Sequence, residues 1–217
     1  MYKLVKVHAA CQVYSDNMDI YCHSCQPGQM DGKESARQAH VLETALTVFL
    51  RHGFRKTSME DIAKAAGISR QGIYLHFKDK DAIFSASIRK TLDDGTQAAN
   101  RILDDERLAL EEKLLKALDE WFGRYVGLLD PEASDLVEQC ERVLGDAVRK
   151  SRSAFQKKLE KVILARSSRK TKGADKRAAI IADMLCTCGE AWKDSFSSRQ
   201  DFSKKMCDAI HLCCRDL

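Results

Sequence analysis

The sequence predicts an all-α protein, with an N-terminal three-helix, helix-turn-helix domain followed by a larger helical domain. Only two prolines interrupt the 217 residues, so helix breakers are scarce. Long stretches are rich in Ala, Leu, Lys, Glu and Arg, which are strong helix formers. No segment alternates as a strand does, and no apolar run approaches the about 18 residues of a membrane span. We therefore expect a soluble, cytoplasmic protein without a membrane segment.

Residues 1–33 lack helical periodicity and contain the turn-like sequence Gln26-Pro27-Gly28-Gln29. We interpret them as an N-terminal extension. Met30 is followed by the kind of polar lead that often precedes a first helix, so it is an alternative translation start, and residues 1–29 would then lie upstream of it.

The helix-turn-helix domain is predicted over residues 34–80. Its first helix is expected from Glu34 to Arg51, because apolar residues recur there at helical spacing, at Val41, Leu42, Ala45, Val48 and Phe49. Thr57 precedes Glu60 by three residues, which is the spacing of a capping box and predicts the start of a second helix.

A tight turn separates the second helix from a third. Gly67 can adopt the left-handed conformation that ends a helix, and Ser69 is a suitable N-cap for the next one. Ile68 and Ile73 have the spacing of a hydrophobic staple across that cap. Two short helices joined in this way are typical of a helix-turn-helix, whose second helix enters the major groove of DNA.

The third helix presents side chains suited to DNA. Ile73 and Phe77 share the inner face, which leaves Arg70, Gln71, Tyr74 and His76 outside. Arg can bond guanine and Gln can bond adenine through two hydrogen bonds each, so Arg70 and Gln71 are the predicted base readers. The predicted backbone contacts are made by Tyr74, His76 and Lys80. Thr57, Ser69 and Gly72 complete the predicted DNA-binding set.

Two of these positions have structural alternatives. Tyr74 could cap the small core of the domain, and His76 could be a hydrogen-bonded core residue. Lys80 is expected at the start of the next helix, where its charge and the helix N-terminus would share a phosphate.

The charge distribution agrees with a DNA-binding head. Residues 1–90 contain 13 Lys and Arg against 9 Asp and Glu, whereas residues 91–217 contain 23 of each. The whole net charge of +4 therefore lies in the N-terminal part. Such an asymmetry favours binding to a phosphate backbone. A basic arm with Lys3, Lys6 and Lys33 could add contacts.

The region from about Ala39 to Phe84 resembles the tetracycline-repressor (TetR) family of bacterial transcription regulators. The matching residues are Phe49, Gly53, Phe54, Thr57, Ile62, Ala63, Ala66, Gly67, Ser69, Tyr74, His76, Phe77, Lys80 and Phe84. Gly72 departs from the pattern, since the family usually has a small side chain there. This glycine costs the helix about 0.5 to 1 kcal/mol relative to Ala.

The predicted effector-binding and dimerisation domain covers residues 81–217. A long helix with Asp79 as N-cap is expected to reach Leu103. It would link the helix-turn-helix domain, residues 34–80, which we call the head, to the helical domain of residues 81–217, which we call the body. Further helices are predicted at Ala109 to Leu129, Glu132 to Leu144, Asp146 to Ser167, Ala174 to Ser195 and Gln200 to Arg215. The polar segment Ser167 to Gly173 is predicted to be a loop.

The last two helices carry apolar stripes that could pair. Reading a palindrome requires two-fold symmetry, and the resemblance implies that these helices form a four-helix bundle in a homodimer. The predicted interface residues are Ala178, Ile181, Leu185, Cys188, Trp192, Phe202, Met206 and Ile210. The alternative is that both stripes are ordinary core.

An aromatic cluster is the candidate effector pocket. Aromatic side chains around an apolar cavity would suit a small hydrophobic ligand, although core packing explains them too. The candidate residues are Trp121, Phe122, Tyr125, Cys140 and Phe155.

Nine cysteines allow two further hypotheses. Cys22 and Cys25, with His8, Cys11 and His23 nearby in the sequence, could bind zinc, although a second well-spaced pair is missing. Thiol oxidation in a C-terminal cluster could instead alter dimer geometry; this cluster is Cys186, Cys188, Cys207, Cys213 and Cys214. Our prediction is that most cysteines are reduced, and we assign no metal and no cofactor.

These observations favour a sequence-specific DNA-binding regulator that binds a palindromic operator as a homodimer. We expect a repressor whose operator affinity falls when an unidentified small effector binds. A redox- or metal-responsive regulator and an effector-independent architectural DNA binder are the alternatives. An enzyme is disfavoured, because the sequence has no recognisable nucleophile, carboxylate pair or cofactor loop.

Overall fold

The computed structural model describes residues 32–128, 135–166 and 173–215, and within these ranges it is helical without strands. The α-helices are α1 (Gly32–Lys56), α2 (Met59–Ala65), α3 (Arg70–His76), α4 (Lys80–Asp104), α5 (Leu110–Trp121), α6 (Asp135–Arg166), α7 (Ala174–Ser195) and α8 (Arg199–Cys214). A short 3₁₀ helix, Gly123–Tyr125, follows α5. Among the described helices, none has the length and apolar character needed to span a bilayer. The all-α prediction is confirmed.

Helix α1 continues beyond its predicted end at Arg51. At Gly53 the backbone leaves the helical conformation, with φ of 79° and ψ of 166°, and the helix resumes for a few residues up to Lys56. A positive φ is readily adopted only by glycine, which explains why this residue stands at the kink.

The start of α2 differs from the prediction by one residue. Its N-cap is Ser58, whose hydroxyl accepts a hydrogen bond from the Asp61 backbone N–H, while the Asp61 side chain accepts one from the Ser58 N–H. The predicted box of Thr57 and Glu60 is therefore wrong. Thr57 is only 2% exposed, and its hydroxyl donates to the Gly53 carbonyl at 2.7 Å. This burial also removes the Thr57 side chain from the candidate DNA contacts.

The first three helices and the start of α4 enclose a small apolar core, which we call the head core. Phe49 contacts Phe54 and Phe84, with ring centroids 5.7 and 5.2 Å away. Besides these aromatics, the buried residues of the head core are Val41, Ala45, Met59, Ile62, Ala63, Ala66, Ile73, Phe77, Ile83 and Leu136. Leu136 belongs to α6, so the head core extends to the C-terminal part of the chain.

Helix α4 links the head core to the rest of the chain, as predicted. Its N-cap is Asp79, whose carboxylate accepts a hydrogen bond from the Ala82 N–H at 2.8 Å. Ser87 is buried and donates to the Leu42 carbonyl at 3.0 Å, which fixes α4 against α1.

Some of the helices predicted for the body differ from the structure. The two helices expected at Glu132 to Leu144 and Asp146 to Ser167 are one continuous helix, α6, that runs through the buried Gly145. A glycine inside a helix costs only about 1 kcal/mol, which tertiary packing can offset. Helix α5 ends at Trp121 rather than at Leu129, and α7 has the predicted bounds. The predicted loop lies outside the described residues except for Gly173.

The apolar stripes of α7 and α8 face the core of the body, which corrects the predicted dimer interface. The predicted residues Ala178, Ile181, Leu185, Phe202, Met206 and Ile210 are all buried within this single chain, and Cys188 and Trp192 pack against them. The side chains of the six buried residues are therefore not available to a second copy, whereas Cys188 and Trp192 are half-buried. The exposed apolar residues of these helices are different ones, namely Ile180, Met184 and Leu212.

The aromatic residues proposed for an effector pocket pack against each other. The Trp121 ring stacks on Phe155 with centroids 4.7 Å apart, and Phe122 meets Phe155 edge to face at 6.3 Å. Tyr125 lies half-buried near Arg124. Cys140 is not part of this cluster, because it packs against the head core. The prediction that Cys140 lines the same pocket is wrong.

Candidate nucleic-acid interface

Helices α2 and α3 are joined by a turn that is closed by backbone hydrogen bonds. The Ala66 N–H donates to Ile62, and the Ile68 N–H donates to Ala63 at 3.0 Å. Gly67 has the predicted left-handed conformation, with φ of 66°. Ser69 is the N-cap of α3, as predicted, and its hydroxyl accepts a hydrogen bond from the Gly72 N–H at 3.0 Å. The turn therefore holds α3 in one orientation relative to α2.

The inner face of α3 is fixed by burial. Ile73 is fully buried and Phe77 nearly so, and both belong to the head core. Arg70 and Gln71, in the first turn of α3, are exposed. The Arg70 guanidinium lies 3.9 Å from the Glu60 carboxylate, and both side chains are largely solvated. Such an exposed ion pair is weak and leaves Arg70 free to exchange Glu60 for another acceptor.

The other predicted contact residues of α3 differ in accessibility. Tyr74 is 45% exposed, so part of its side chain is accessible from solvent. His76 is half-buried, and its ring meets that of Phe77 at 6.3 Å. A Cβ atom added to Gly72 would lie 3.2 Å from the Ser69 hydroxyl, so a larger residue there would crowd the N-cap.

The Lys80 side chain is used inside the head, contrary to the predicted phosphate contact. Its ammonium donates to the carbonyls of Phe54 at 2.8 Å and Thr57 at 2.7 Å, and it lies 4.4 Å from the centre of the Phe54 ring. Lysine is well suited to satisfy the free carbonyls at a helix C-terminus. Lys80 thus ties the end of α1 to the start of α4. Lys78 is far more exposed, with a loose ion pair to Asp79 at 3.6 Å.

Sequence reasoning missed Leu75, which is 83% exposed on α3. A signal was present, because Leu75 stands four residues after Gln71 and two after the buried Ile73. Residues four apart share one face of a helix, so Leu75 and Gln71 share the outer face.

Sequence reasoning also missed a second connection between head and body, at the first turns of α6. The Asp135 carboxylate accepts hydrogen bonds from the backbone N–H groups of Phe54 at 3.1 Å and Arg55 at 2.6 Å. Gln139 donates to the Asp81 carboxylate at 3.0 Å. These residues are about 80 and 60 positions apart in the sequence, and no local pattern predicts such contacts. Helix α6 therefore touches both the end of α1 and the start of α4.

The described cysteines have thiols of low reactivity where they are buried. Burial raises the pKa of Cys186 to about 12 and that of Cys214 to about 11, and it also raises the pKa of Cys140 and Cys213. Because the thiolate is the reactive form, these raised pKa values disfavour a redox role for the four thiols. Within the described residues no cluster of three or more His, Cys, Asp or Glu could hold a metal. The predicted zinc ligands His8, Cys11, Cys22, His23 and Cys25 lie outside the described residues.

The head matches a known family of DNA-binding domains. Residues 41–87 fit the family model described as bacterial regulatory proteins, tetR family. The chain is 42% identical over 65 residues to an uncharacterised HTH-type transcriptional regulator, YfiR, of Bacillus subtilis, with 30% of this chain and 32% of the relative covered. It is 37% identical over 68 residues to the HTH-type transcriptional repressor KstR2 of Rhodococcus jostii, with 31% and 33% covered. The matched segment thus spans about a third of the length of these curated relatives.

The solved structures extend the similarity in fold to most of the chain. A TetR-like transcriptional regulator from Rhodococcus superposes with a TM-score of 0.62 at 22% identity, covering 87% of this chain and 100% of that one. A tetR-family transcriptional regulator from Streptomyces coelicolor gives 0.58 at 20% identity, covering 85% and 80%. At these identities the superpositions show the fold alone.

Proposed function

We propose, from the tetR-family DNA-binding domain formed by residues 41–87, that this protein is a sequence-specific transcriptional regulator that binds a palindromic operator as a homodimer. The observation that carries the proposal is the exposure of Arg70 and Gln71 in the first turn of α3, a helix anchored by Ile73 and by the capped turn before it. Side chains at this place in a recognition helix reach base edges in the major groove.

The contacts are divided between base reading and backbone binding. Arg70 binds guanine and Gln71 binds adenine, each through two hydrogen bonds. Ser69, Tyr74 and His76 contact the sugar-phosphate backbone. Because the Lys80 ammonium is held by backbone carbonyls, we assign the phosphate contact expected for it to Lys78, which is exposed just beyond α3.

The exposed apolar residues of α7 and α8 support dimerisation through these helices. Ile180, Met184 and Leu212 line a shallow groove together with Lys176, Arg177 and Cys213. Exposed apolar side chains that gather in one groove, rather than being scattered singly, support a protein interaction site here. A two-fold axis at this groove would bring the same residues of two copies together, since a symmetric dimer uses one patch twice.

Helix α6 provides a physical route for control by an effector. Its first turns bind the head through Asp135 and Gln139, while Phe155 and Leu159 lie in the core of the body. A ligand that favours one position of α6 would change the separation of the two recognition helices and so the operator affinity. We propose that the protein is a repressor released in this way. The similarity of the DNA-binding segment to the transcriptional repressor from Rhodococcus jostii supports repression rather than activation.

Selection of bound duplexes from a random pool tests the proposal. The full-length protein should recover a palindrome, and it should bind that duplex at least about 10³-fold more tightly than random DNA at physiological salt. Equal affinity for recovered and random duplexes would instead indicate an architectural DNA binder. Repeating the selected binding assay with fractionated cell metabolites should show a fraction that releases the duplex.

A further inference from the structure

Leu75 is the most exposed of the large apolar side chains in the described part of the chain. It is 83% exposed, and it sits on a helix of only seven residues, Arg70–His76, whose other exposed residues are polar or amphipathic. A single exposed leucine is common on protein surfaces and needs no explanation by itself. Leu75 differs from such a residue because it lies on α3, the proposed recognition helix.

The geometry of α3 places Leu75 and Gln71 on the side opposite the protein. Ile73, which is fully buried, lies two residues from each of them. At about 100° per residue, a separation of two residues rotates a side chain by roughly 200°, so both point away from the head core. Arg70 lies nearer the flank, where it meets Glu60 of α2. Leu75 and Gln71 therefore form the outermost line of the recognition helix.

The chemistry of that line restricts what Leu75 can recognise. A leucine side chain neither donates nor accepts a hydrogen bond, so it gains nothing from a phosphate or from the polar base edges. In the major groove the apolar feature of a base pair is the C5-methyl group of thymine. Side chains four residues apart have Cβ atoms about 5–6 Å apart, and base pairs are stacked about 3.4 Å apart. Leu75 therefore lies one to two base pairs from the base that Gln71 contacts.

We propose that Leu75 is a specificity residue that packs on the C5-methyl group of a thymine in each half-site. This inference rests on the DNA-binding function proposed above, and it goes further by adding an apolar reader beside the polar readers Arg70 and Gln71. It predicts a thymine whose recognition depends on its methyl group rather than on its hydrogen-bonding pattern.

Replacing individual thymines of the selected duplex by deoxyuridine removes only that methyl group. For the wild-type protein, one thymine per half-site should give a loss of about fourfold in affinity, as burial of one methyl-sized group implies, and roughly fifteenfold when both half-sites are changed. The Leu75→Ala variant should bind the thymine and deoxyuridine duplexes equally. Leu75→Met, which keeps a flexible apolar side chain, should restore part of the discrimination.

The matched control is Val137→Ala, which truncates another exposed aliphatic residue, 62% exposed, outside the recognition helix. It should retain the wild-type preference for thymine. The inference is overturned if no thymine in the half-site shows methyl dependence, if the half-site contains no thymine, or if Leu75→Ala keeps the preference. Failure of the DNA-binding function itself looks different, because the wild-type protein would then not distinguish the selected duplex from random DNA.

Discussion

Both the recognition helix and the paired C-terminal helices leave apolar side chains in solvent, but the two surfaces differ in their surroundings. On α3, Leu75 is accompanied by Arg70, Gln71 and Tyr74, so the surface is mainly polar. On α7 and α8, Ile180, Met184 and Leu212 lie together in one groove. Protein–DNA interfaces are polar and positively charged, whereas homodimer interfaces are more apolar. The difference supports the proposal that α3 binds DNA and that α7 and α8 bind a second copy.

A charge placed in the groove of α7 and α8 should have the largest effect on the proposed dimer. Met184→Asp would bring two carboxylates into an apolar contact across the two-fold axis, where they would be desolvated without partners. We expect the dissociation constant of the dimer to rise at least about 100-fold, or about 2.7 kcal/mol, with a corresponding loss of palindrome binding. Sedimentation equilibrium measures the first effect and titration of the selected duplex the second. A dimer that persists in Met184→Asp would place the interface elsewhere.

Leu185→Ala is the control for that change, because Leu185 is adjacent in sequence but buried in the body core. Its truncation should lower the free energy of unfolding by about 2 to 5 kcal/mol, as for other buried leucines. Urea denaturation should show this loss, whereas the folded variant should dimerise as the wild type does. If Leu185→Ala kept its stability but dimerised more weakly, Leu185 would belong to the dimer interface, as the sequence alone predicted.

The two lysines near the end of α3 provide the next test. Lys80→Met removes charge-assisted hydrogen bonds to the carbonyls of Phe54 and Thr57, so stability should fall by about 1.5 to 3 kcal/mol. Lys78→Met should change the free energy of unfolding by less than about 0.5 kcal/mol. It should make the slope of log binding constant against log salt concentration shallower by roughly one unit. Urea denaturation and binding titrations over a series of salt concentrations separate the two effects. If Lys80→Met changed the salt dependence and Lys78→Met lowered the stability, the phosphate contact would belong to Lys80.

Truncation of Arg70 or Gln71, the proposed polar readers, should lower the affinity for DNA, and the loss should depend on particular base pairs. Arg70→Ala or Gln71→Ala should lower the affinity for the selected duplex by about 1 to 3 kcal/mol and relax the preference at one position. Binding to random DNA should change little for Gln71→Ala, which removes no charge. If both variants weakened specific and random binding equally, neither side chain would be reading bases.

The success of sequence reasoning differs between the head and the body for a physical reason. In the head, caps, the glycine turn and the burial of Ile73 depend on neighbours within a few residues, and these were predicted correctly except for the cap of α2. In the body, apolar spacing identified α7, but spacing alone does not say whether a stripe such as Ala178 to Leu185 meets its own chain or a second one. The contacts of Asp135 with Phe54 and Arg55 depend on the tertiary fold and have no local signature.

The α2 cap has the smallest expected effect on stability, and it tests a local prediction that the structure corrected. Ser58→Ala removes the acceptor for the Asp61 N–H and should destabilise the head by about 1 kcal/mol. Glu60→Ala, which alters the carboxylate of the box that sequence spacing favoured, should stay within about 0.5 kcal/mol of the wild type. Hydrogen exchange of the α2 amides would detect the difference.

The dependence of this cap on pH tests the contribution of the Asp61 charge. The hydrogen bonds from the Ser58 hydroxyl and backbone N–H lower the pKa of Asp61 below its usual value. A carboxyl with a lowered pKa in the folded state stabilises the fold above its unfolded pKa, and this contribution is lost as the pH falls through the folded pKa. The wild type should therefore be more stable than Asp61→Asn at neutral pH, and the two should converge in acid. A difference that is constant from pH 7 to pH 2 would mean that the charge of Asp61 does not contribute to the cap.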